Sequence, residues 1–148
     1  MRIVGVIPAR YKSSRFPGKP LTLINGTPMV IHVARIAKVA LGSENVFVAT
    51  DDVRIKNCVE DYGFTAVMTD ESCLTGTDRL WDFAQKVKAD IYVNIQGDEP
   101  MLNPDDIIKI IDVKKQFPDF IVNGMCELLK DEDPLNINIP KVLVNKNA

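Results

Sequence analysis

The sequence predicts an α/β domain with three α/β/α layers and a mostly parallel sheet. Short apolar runs rich in Val and Ile alternate with longer segments whose apolar residues recur at helical spacing. Such alternation implies βαβ units, which place neighbouring strands parallel and their helices on the sheet faces. The length of 148 residues suits one core, so we expect residues 1–148 to form a single domain of Rossmann-like architecture.

The predicted strands are short apolar runs bounded by turn residues or charges. The first is Ile3–Ile7, a buried-strand pattern that stops at Pro8. Residues 21–24 lead into an Asn25-Gly26 turn. Three further runs predict strands at residues 45–50, 64–68 and 91–95, and weaker patterns occur at residues 120–128 and 142–144.

The predicted helices lie between these strands. Pro28 opens the first, because a residue without an N–H fits the first turn of a helix. Asp51-Asp52 begin the second, and Asn103 caps the last. Four helices are therefore expected, at residues 28–41, 51–62, 78–88 and 103–113.

Composition excludes several classes of function. The formal net charge is −2 and no basic run exceeds two residues, which argues against nucleic-acid binding because that needs a clustered positive surface. No stretch approaches the roughly 20 apolar residues of a membrane span, and no secretory signal pattern is visible. Three scattered cysteines predict reduced thiols. We expect a cytoplasmic protein without nucleic-acid or membrane partners.

Three loops leave the carboxyl ends of predicted strands, at residues 8–20, 50–52 and 96–100. In an open parallel sheet, ligands bind beyond those ends. We therefore expect the three loops to converge on one site.

The first of these loops suits a polyphosphate. Small residues there allow backbone N–H groups to approach phosphate oxygens, and three of its four cations add charge-assisted hydrogen bonds, namely Arg10, Arg15 and Lys19. It is not a Walker loop, because the GxxxxGK[ST] spacing is absent. The alternative is a solvated basic loop without a ligand.

Asp98 is the most informative single position. It follows a predicted buried strand and comes directly after Gly97. Mg²⁺ typically needs one or two carboxylates and takes its other ligands from water and phosphates, so a carboxylate facing a basic loop predicts a metal and phosphate pair. The alternative is an ordinary Gly-Asp turn.

Other polar positions carry weaker signals. Thr75 or Thr77 is suited to cap the third helix, and the turn at Gly76 also suits backbone contacts to the edge of a base. His32 lies on an apolar helix, which favours a structural role. Cys73 has no activating partner in the sequence.

Together these motifs resemble those of CMP-Kdo synthetases, the 3-deoxy-manno-octulosonate cytidylyltransferases. The resemblance runs from residue 3 to about residue 115 and rests on residues 7–10, 13–21, 49–51, 76–79 and 94–100. It implies a fold of the nucleotide-diphospho-sugar transferase type, with the C-terminal part missing here. It also implies transfer of CMP from CTP to a sugar acid, with release of pyrophosphate.

The resemblance implies roles for individual residues. Arg10, Lys19 and Asp98 would be catalytic, Asp98 by binding Mg²⁺, and Gln96 would face the sugar acid. The nucleotide would be bound by Pro8, Ala9, Arg10, Ser14, Arg15, Lys19, Thr75, Gly76 and Arg79. The full-length protein would be a homodimer that serves lipopolysaccharide synthesis.

The sequence also departs from the family pattern. Cys73 stands where the family has His, and Thr75 where it usually has Ser. Since the resemblance includes a further C-terminal part, we expect this chain to be a truncated form. Three functions stay open: a cytidylyltransferase for Kdo, one for another acid sugar such as 8-amino-Kdo or sialic acid, and a CTP-binding fragment without turnover.

Overall fold

The computed structural model describes residues 1–12, 16–128, 131–133, 135–137, 139 and 142. The strands within these residues are β1 (Ile3–Ala9), β2 (Leu23–Ile24), β3 (Thr27–Pro28), β4 (Val46–Thr50), β5 (Thr65–Met68) and β6 (Ile91–Asn94). The α-helices are α1 (Met29–Leu41), α2 (Val53–Asp61), α3 (Gly76–Lys86) and α4 (Pro104–Gln116). Short 3-10 helices form at Lys19–Leu21 and Ser43–Asn45.

Four strands make one parallel sheet in the order β5-β4-β1-β6. β1 is central, since it pairs in parallel with β4 on one side and with β6 on the other. β2 and β3 form a separate antiparallel pair around Asn25 and Gly26, which both have positive φ. The predicted parallel sheet is confirmed, and the chain leaving β1 emerges between its neighbours' carboxyl ends.

Helices cover both faces of this sheet. Val4 and Val6 of β1 pack with Phe47 of β4 around Phe83 of α3. Ile7 points to the other face, because successive strand side chains alternate. There it joins buried residues of α1, α2 and α4, among them Val30, Ile55, Val59, Ile107 and Ile111. The expected three layers are thus confirmed. No described helix has the length and apolarity that crossing a membrane requires.

The first strand is longer than predicted. It was expected to stop at Pro8, but Pro8 and Ala9 remain in register with Ala49 and Thr50 of β4. A proline removes one backbone donor from a ladder. Here the parallel pairing with β4 nevertheless continues through Pro8 and Ala9. The loop toward the sheet edge therefore begins at Arg10, and Pro8 becomes part of the rigid scaffold beneath it.

The third helix begins earlier than predicted. It was expected at Asp78–Lys88 and lies at Gly76–Lys86. The reason is the cap: Thr75 is the N-cap and Asp78 is the third helical residue, so the two side chains close a capping box. Asp78, which was expected to be the first residue of the helix, is therefore its third.

The strand expected at residues 120–128 is wrong. That segment has no regular structure, and Phe120 and Ile121 are exposed. A strand pattern needs a neighbouring strand to pair with, and in the described part of the chain residues 120–128 pair with none. Residues 143 and 144 of the strand expected at 142–144 lie outside the described residues.

Candidate active site

A cleft of about 620 Å³ lies beyond the carboxyl ends of β1 and β6. Its described walls come from residues 8–10 and 16–20, from residues 74–79 and from residues 96–98. The side chains and backbone that line it belong to Pro8, Ala9, Arg10, Phe16, Lys19, Pro20, Leu74, Thr75, Gly76, Arg79, Gln96, Gly97 and Asp98. Because parallel sheets bind ligands at this edge, the cleft is the candidate active site.

Most of the predicted site residues come together here. Every one that the structure describes lines the cleft, whereas Ser14 and Arg15 lie outside the described residues. Four further residues line the cleft without a predicted role, namely Phe16, Pro20, Leu74 and Gly97. Their side chains are apolar or absent and offer no group that would bind a polar ligand. In the sequence, only their position beside predicted site residues indicates that they line the cleft.

Residues 50–52 do not line the cleft, so the expected convergence of all three loops is wrong in that respect. Asp51 instead pairs with Arg79, which comes from segment 74–79. The guanidinium of Arg79 covers Asp51, and segment 74–79 takes the place in the cleft wall that residues 50–52 were expected to hold.

Two glycines let the cleft walls pack closely against Pro8. A Cβ at Gly97 would lie 2.9 Å from the carbonyl oxygen of Pro8, and a Cβ at Gly76 would lie 3.2 Å from its Cγ. Rotation of a side chain cannot relieve a contact with a backbone oxygen, so a larger residue at position 97 has to shift the backbone. The shifted segment is the one that carries Asp98.

Lys19 and Asp98 form an ion pair across the cleft. The Lys19 Nζ lies 2.7 Å from Asp98 Oδ2, and both side chains are about half exposed. Exposed pairs contribute only about 0–1 kcal/mol to stability. A polyphosphate can therefore replace Asp98 as the partner of Lys19, and a cation can replace Lys19 as the partner of Asp98, at little cost in free energy. The pair therefore holds one cation and one carboxylate ready at the same point of the cleft.

The cleft offers few ligands for a metal. Within the described part of the chain, no three His, Cys, Asp or Glu side chains cluster as a metal-binding group. Among the described residues that line the cleft, Asp98 alone provides a carboxylate, which is half exposed. That donor set suits a hard cation such as Mg²⁺, which keeps several waters and shares its remaining positions with phosphate oxygens.

Arg10 links the first loop to the opposite wall. Its Nη1 donates a hydrogen bond to the Leu74 carbonyl oxygen at 3.2 Å, and the side chain is exposed. A guanidinium carries five N–H donors in a planar fork, so Arg10 can hold this carbonyl and an anion at once. The cleft therefore carries positive charge at Arg10 as well as at Lys19.

Arg79 lies buried in the cleft wall, with 2% of its side chain exposed. Its Nη2 donates to Asp51 Oδ2 at 3.0 Å and its Nη1 donates to the hydroxyl of Thr69. The other carboxylate oxygen, Asp51 Oδ1, is buried without a hydrogen-bond partner among the described residues. Arg79 thus ties α3 to the ends of β4 and β5.

Thr75 caps α3 through a reciprocal pair of hydrogen bonds. The Asp78 backbone N–H donates to Thr75 Oγ1 at 3.1 Å, and the Thr75 N–H donates to Asp78 Oδ2 at 2.8 Å. Hydrogen bonds from the Thr75 hydroxyl and N–H lower the pKa of the Asp78 carboxyl, so Asp78 is ionised at neutral pH. The cap fixes where Gly76 enters the cleft wall.

Replacing Thr75 with Ala is expected to lower the free energy of unfolding by about 1 kcal/mol, the usual loss of an N-cap. Thr77→Ala, in the same helical turn but not at the cap, is the matched control and should change it by less than about 0.5 kcal/mol. Urea unfolding followed by circular dichroism measures both. Equal losses in the two variants would contradict the capping role.

His32 and Cys73 lie outside the cleft's chemistry. The His32 Nε2 lies 2.9 Å from the Ile24 carbonyl oxygen, a hydrogen bond that joins α1 to β2. This agrees with the structural role expected for it. Desolvation raises the pKa of the Cys73 thiol, so Cys73 stays protonated at neutral pH and is a poor nucleophile.

The chain is similar in sequence and in fold to known cytidylyltransferases. The chain is 43% identical over 144 residues to 3-deoxy-manno-octulosonate cytidylyltransferase of Escherichia coli. It is 44% identical over 153 residues to 8-amino-3,8-dideoxy-manno-octulosonate cytidylyltransferase of Shewanella pealeana. A solved structure of CMP:2-keto-3-deoxy-manno-octonic acid synthetase complexed with CTP matches 80% of the chain at 47% identity and a TM-score of 0.77.

The chain spans only part of these relatives. The matches cover 97% and 99% of this chain but 58% and 62% of the two curated relatives, and 49% of the solved structure. The predicted resemblance to CMP-Kdo synthetases is confirmed over that part. A family model described as cytidylyltransferase matches residues 4–148. With nearly the whole sequence matched, the chain belongs to the cytidylyltransferase family.

Proposed function

We propose that this chain carries the CTP site of an enzyme that transfers CMP from CTP to 3-deoxy-octulosonic acid (Kdo) and releases pyrophosphate. The observation that carries the proposal is the cleft itself, which Arg10 and Lys19 line from the loop after β1 and Asp98 lines from the segment after β6. The similar structure complexed with CTP supports the nucleotide. The names of the relatives support an eight-carbon sugar acid as acceptor.

The triphosphate takes the cationic side of the cleft. Arg10 and Lys19 supply charge-assisted hydrogen bonds to its oxygens, and Pro8 and Ala9 form the rigid strand end beneath it. Ser14 and Arg15 belong to the same phosphate-binding set by the family resemblance.

The cytidine takes the wall formed by segment 74–79. Thr75 and Gly76 begin α3 there, and the missing side chain of Gly76 lets the wall lie against Pro8. Arg79 supports this wall, because its guanidinium is held by Asp51 and Thr69. Gln96, exposed on the opposite wall, faces the sugar acid.

Asp98 would hold Mg²⁺. When bound, the metal supplies neutralisation of phosphate charge and fixes the triphosphate against the protein. Because the Lys19 Nζ lies 2.7 Å from Asp98 Oδ2, a triphosphate bound beside Asp98 would also contact a cation of the protein.

The reaction is an in-line displacement at the α-phosphorus. The anomeric hydroxyl oxygen of the sugar acid forms the new P–O bond and loses its proton to water. The bond from the α-phosphorus to the oxygen that bridges to the β-phosphate breaks, and pyrophosphate leaves with that electron pair. Positioning and charge stabilisation supply most of the catalysis in phosphoryl transfer. The role of Lys19 and Arg10 is to stabilise charge as it moves toward the leaving group.

The proposal extends to the part of the relatives that this chain does not cover. We take residues 1–148 as the nucleotide-binding domain, and we expect the relatives' remaining length to supply further parts of the acceptor site and a homodimer contact. A cytoplasmic location and a role in lipopolysaccharide synthesis stay predictions.

Calorimetric titration of the chain with CTP in Mg²⁺ tests the nucleotide site, with ATP as the matched control. We expect CTP to bind at least about tenfold more tightly than ATP, a difference of about 1.4 kcal/mol. Equal affinities would contradict a cytidine site, provided that a circular-dichroism melt shows a folded chain.

Pyrophosphate release tests the acceptor. Because relatives for Kdo and for 8-amino-Kdo are similarly identical to the chain, both sugars are added separately, with sialic acid as a third arm. Release with Kdo alone supports the proposal as stated, and release only with the amino sugar assigns the second acceptor. CTP binding without release in any arm identifies a binding fragment.

A further inference from the structure

An aromatic residue beside the cleft is stacked on a cation that the proposed chemistry does not use. The Arg54 guanidinium carbon lies 3.3 Å from the centroid of the Tyr11 ring. Neither residue lines the cleft. Arg54 belongs to the first turn of α2, and Tyr11 lies two residues beyond the end of β1. We call this contact the Tyr11–Arg54 stack.

Arg54 is held in place at the start of α2. Its Nε and Nη2 donate to the two carboxylate oxygens of Asp52 at 2.9 and 2.6 Å. Asp52 is also the N-cap of α2 and accepts from the Arg54 backbone N–H. The hydrogen bonds from the Arg54 side chain lower the pKa of Asp52, so the pair stays charged at neutral pH. Planar bidentate pairing of this kind fixes the plane that Tyr11 meets.

Tyr11 in turn supports the backbone that precedes Lys19. Its carbonyl oxygen accepts a hydrogen bond from the Gly18 N–H at 2.9 Å. A Cβ at Gly18 would lie 3.1 Å from the Tyr11 ring carbons Cε2 and Cζ and 3.2 Å from the Tyr11 hydroxyl, so the glycine backbone packs directly on this side chain. Gly18 has φ +72°, which favours glycine, and its carbonyl accepts from the Leu21 N–H at 2.9 Å. Tyr11 thus sets the start of the Lys19–Leu21 turn.

These contacts run unbroken from α2 to the cleft. Asp52 orients Arg54, Arg54 stacks on Tyr11, Tyr11 packs on Gly18, and the next residue is Lys19, which reaches Asp98. We propose that the Tyr11–Arg54 stack is a positioning device that fixes the Gly18–Lys19 backbone, so that the Lys19 ammonium faces the triphosphate. Tyr11 and Arg54 are positioning residues. The inference rests on the proposed function for its ligand but not for its geometry.

The test compares Arg54→Leu and Tyr11→Leu with Tyr11→Phe, which keeps the ring. Arg35→Leu is the matched control, since Arg35 makes the same kind of contact with Tyr62, away from the cleft. The first measurement, without nucleotide, is NMR hydrogen exchange at the amides of Gly18 and Leu21. The second is the dissociation constant for CTP in Mg²⁺. Amides of β1 report whether each variant remains folded.

We expect both leucine variants at the stack to speed exchange of the Gly18 and Leu21 amides and to weaken CTP binding about three- to tenfold, in line with loss of a cation–π contact. Tyr11→Phe should restore both values, and Arg35→Leu should change neither. Unchanged exchange in Arg54→Leu would overturn the inference, as would faster exchange with unaltered CTP affinity. If the unaltered chain binds no CTP, the proposed function fails, and the exchange measurement still decides whether the stack orders this backbone.

Discussion

Asp51→Asn is expected to lower the free energy of unfolding by about 3–5 kcal/mol, because it leaves a buried cation without its counter-charge. Arg79 is 2% exposed and Asp51 is 11% exposed. The second oxygen of Asp51, Oδ1, has no hydrogen-bond partner among the described residues, and Asp51 is the carboxylate that pairs directly with the buried guanidinium. Urea unfolding at pH 7 measures the loss.

Asp106→Asn is the matched control for this effect. Asp106 pairs with Lys109 at 3.0 Å, the same separation as Asp51 and Arg79. In this pair, however, both side chains are mostly exposed. Exposed pairs contribute about 0–1 kcal/mol, so the control should lose little. Similar small losses in both variants would mean that water reaches Arg79. Arg79 would then be assigned a direct contact with the nucleotide in place of its role in tying α3 to the ends of β4 and β5.

Asp98→Asn is expected to weaken CTP binding in Mg²⁺ about tenfold or more, the scale on which metal sites respond to altered ligands or their supports. In EDTA the same substitution should leave CTP affinity unchanged or raise it. The reason is charge: without a metal, the carboxylate repels the triphosphate and occupies Lys19. The sign of the effect thus depends on the metal, and titration calorimetry in both buffers measures it.

Glu99→Gln is the control for Asp98→Asn. Glu99 is the next residue and also exposed, but it does not line the cleft. It should leave affinity within about twofold in either buffer, since a screened surface charge has little effect at this distance. A loss of equal size with and without Mg²⁺ in Asp98→Asn would show that Asp98 acts through Lys19 or through the loop, and the metal assignment would be wrong.

The sequence determined the architecture because hydrophobic periodicity is a local property. The buried strand patterns around Val6, Val48 and Val93 and the helical spacing between them specify βαβ units without knowledge of any distant contact. Parallel pairing then brings the segments after β1 and β6 to one edge of the sheet. Lys19 and Asp98, 79 positions apart, could therefore be expected to meet, and they do.

Only the tertiary structure decided which side chains support the site. Arg79 carries the charge of a ligand-binding residue, but burial against Asp51, 28 positions away, fixes its partner. Gly97 reads as a turn residue, and only the position of the Pro8 carbonyl gives it a steric role. The stack of Tyr11 on Arg54 likewise joins a loop to a helix with no pattern in the sequence between them. Periodicity specifies the face on which a residue lies, whereas partner, burial and contact distance depend on how separate elements pack, and no local pattern encodes that packing.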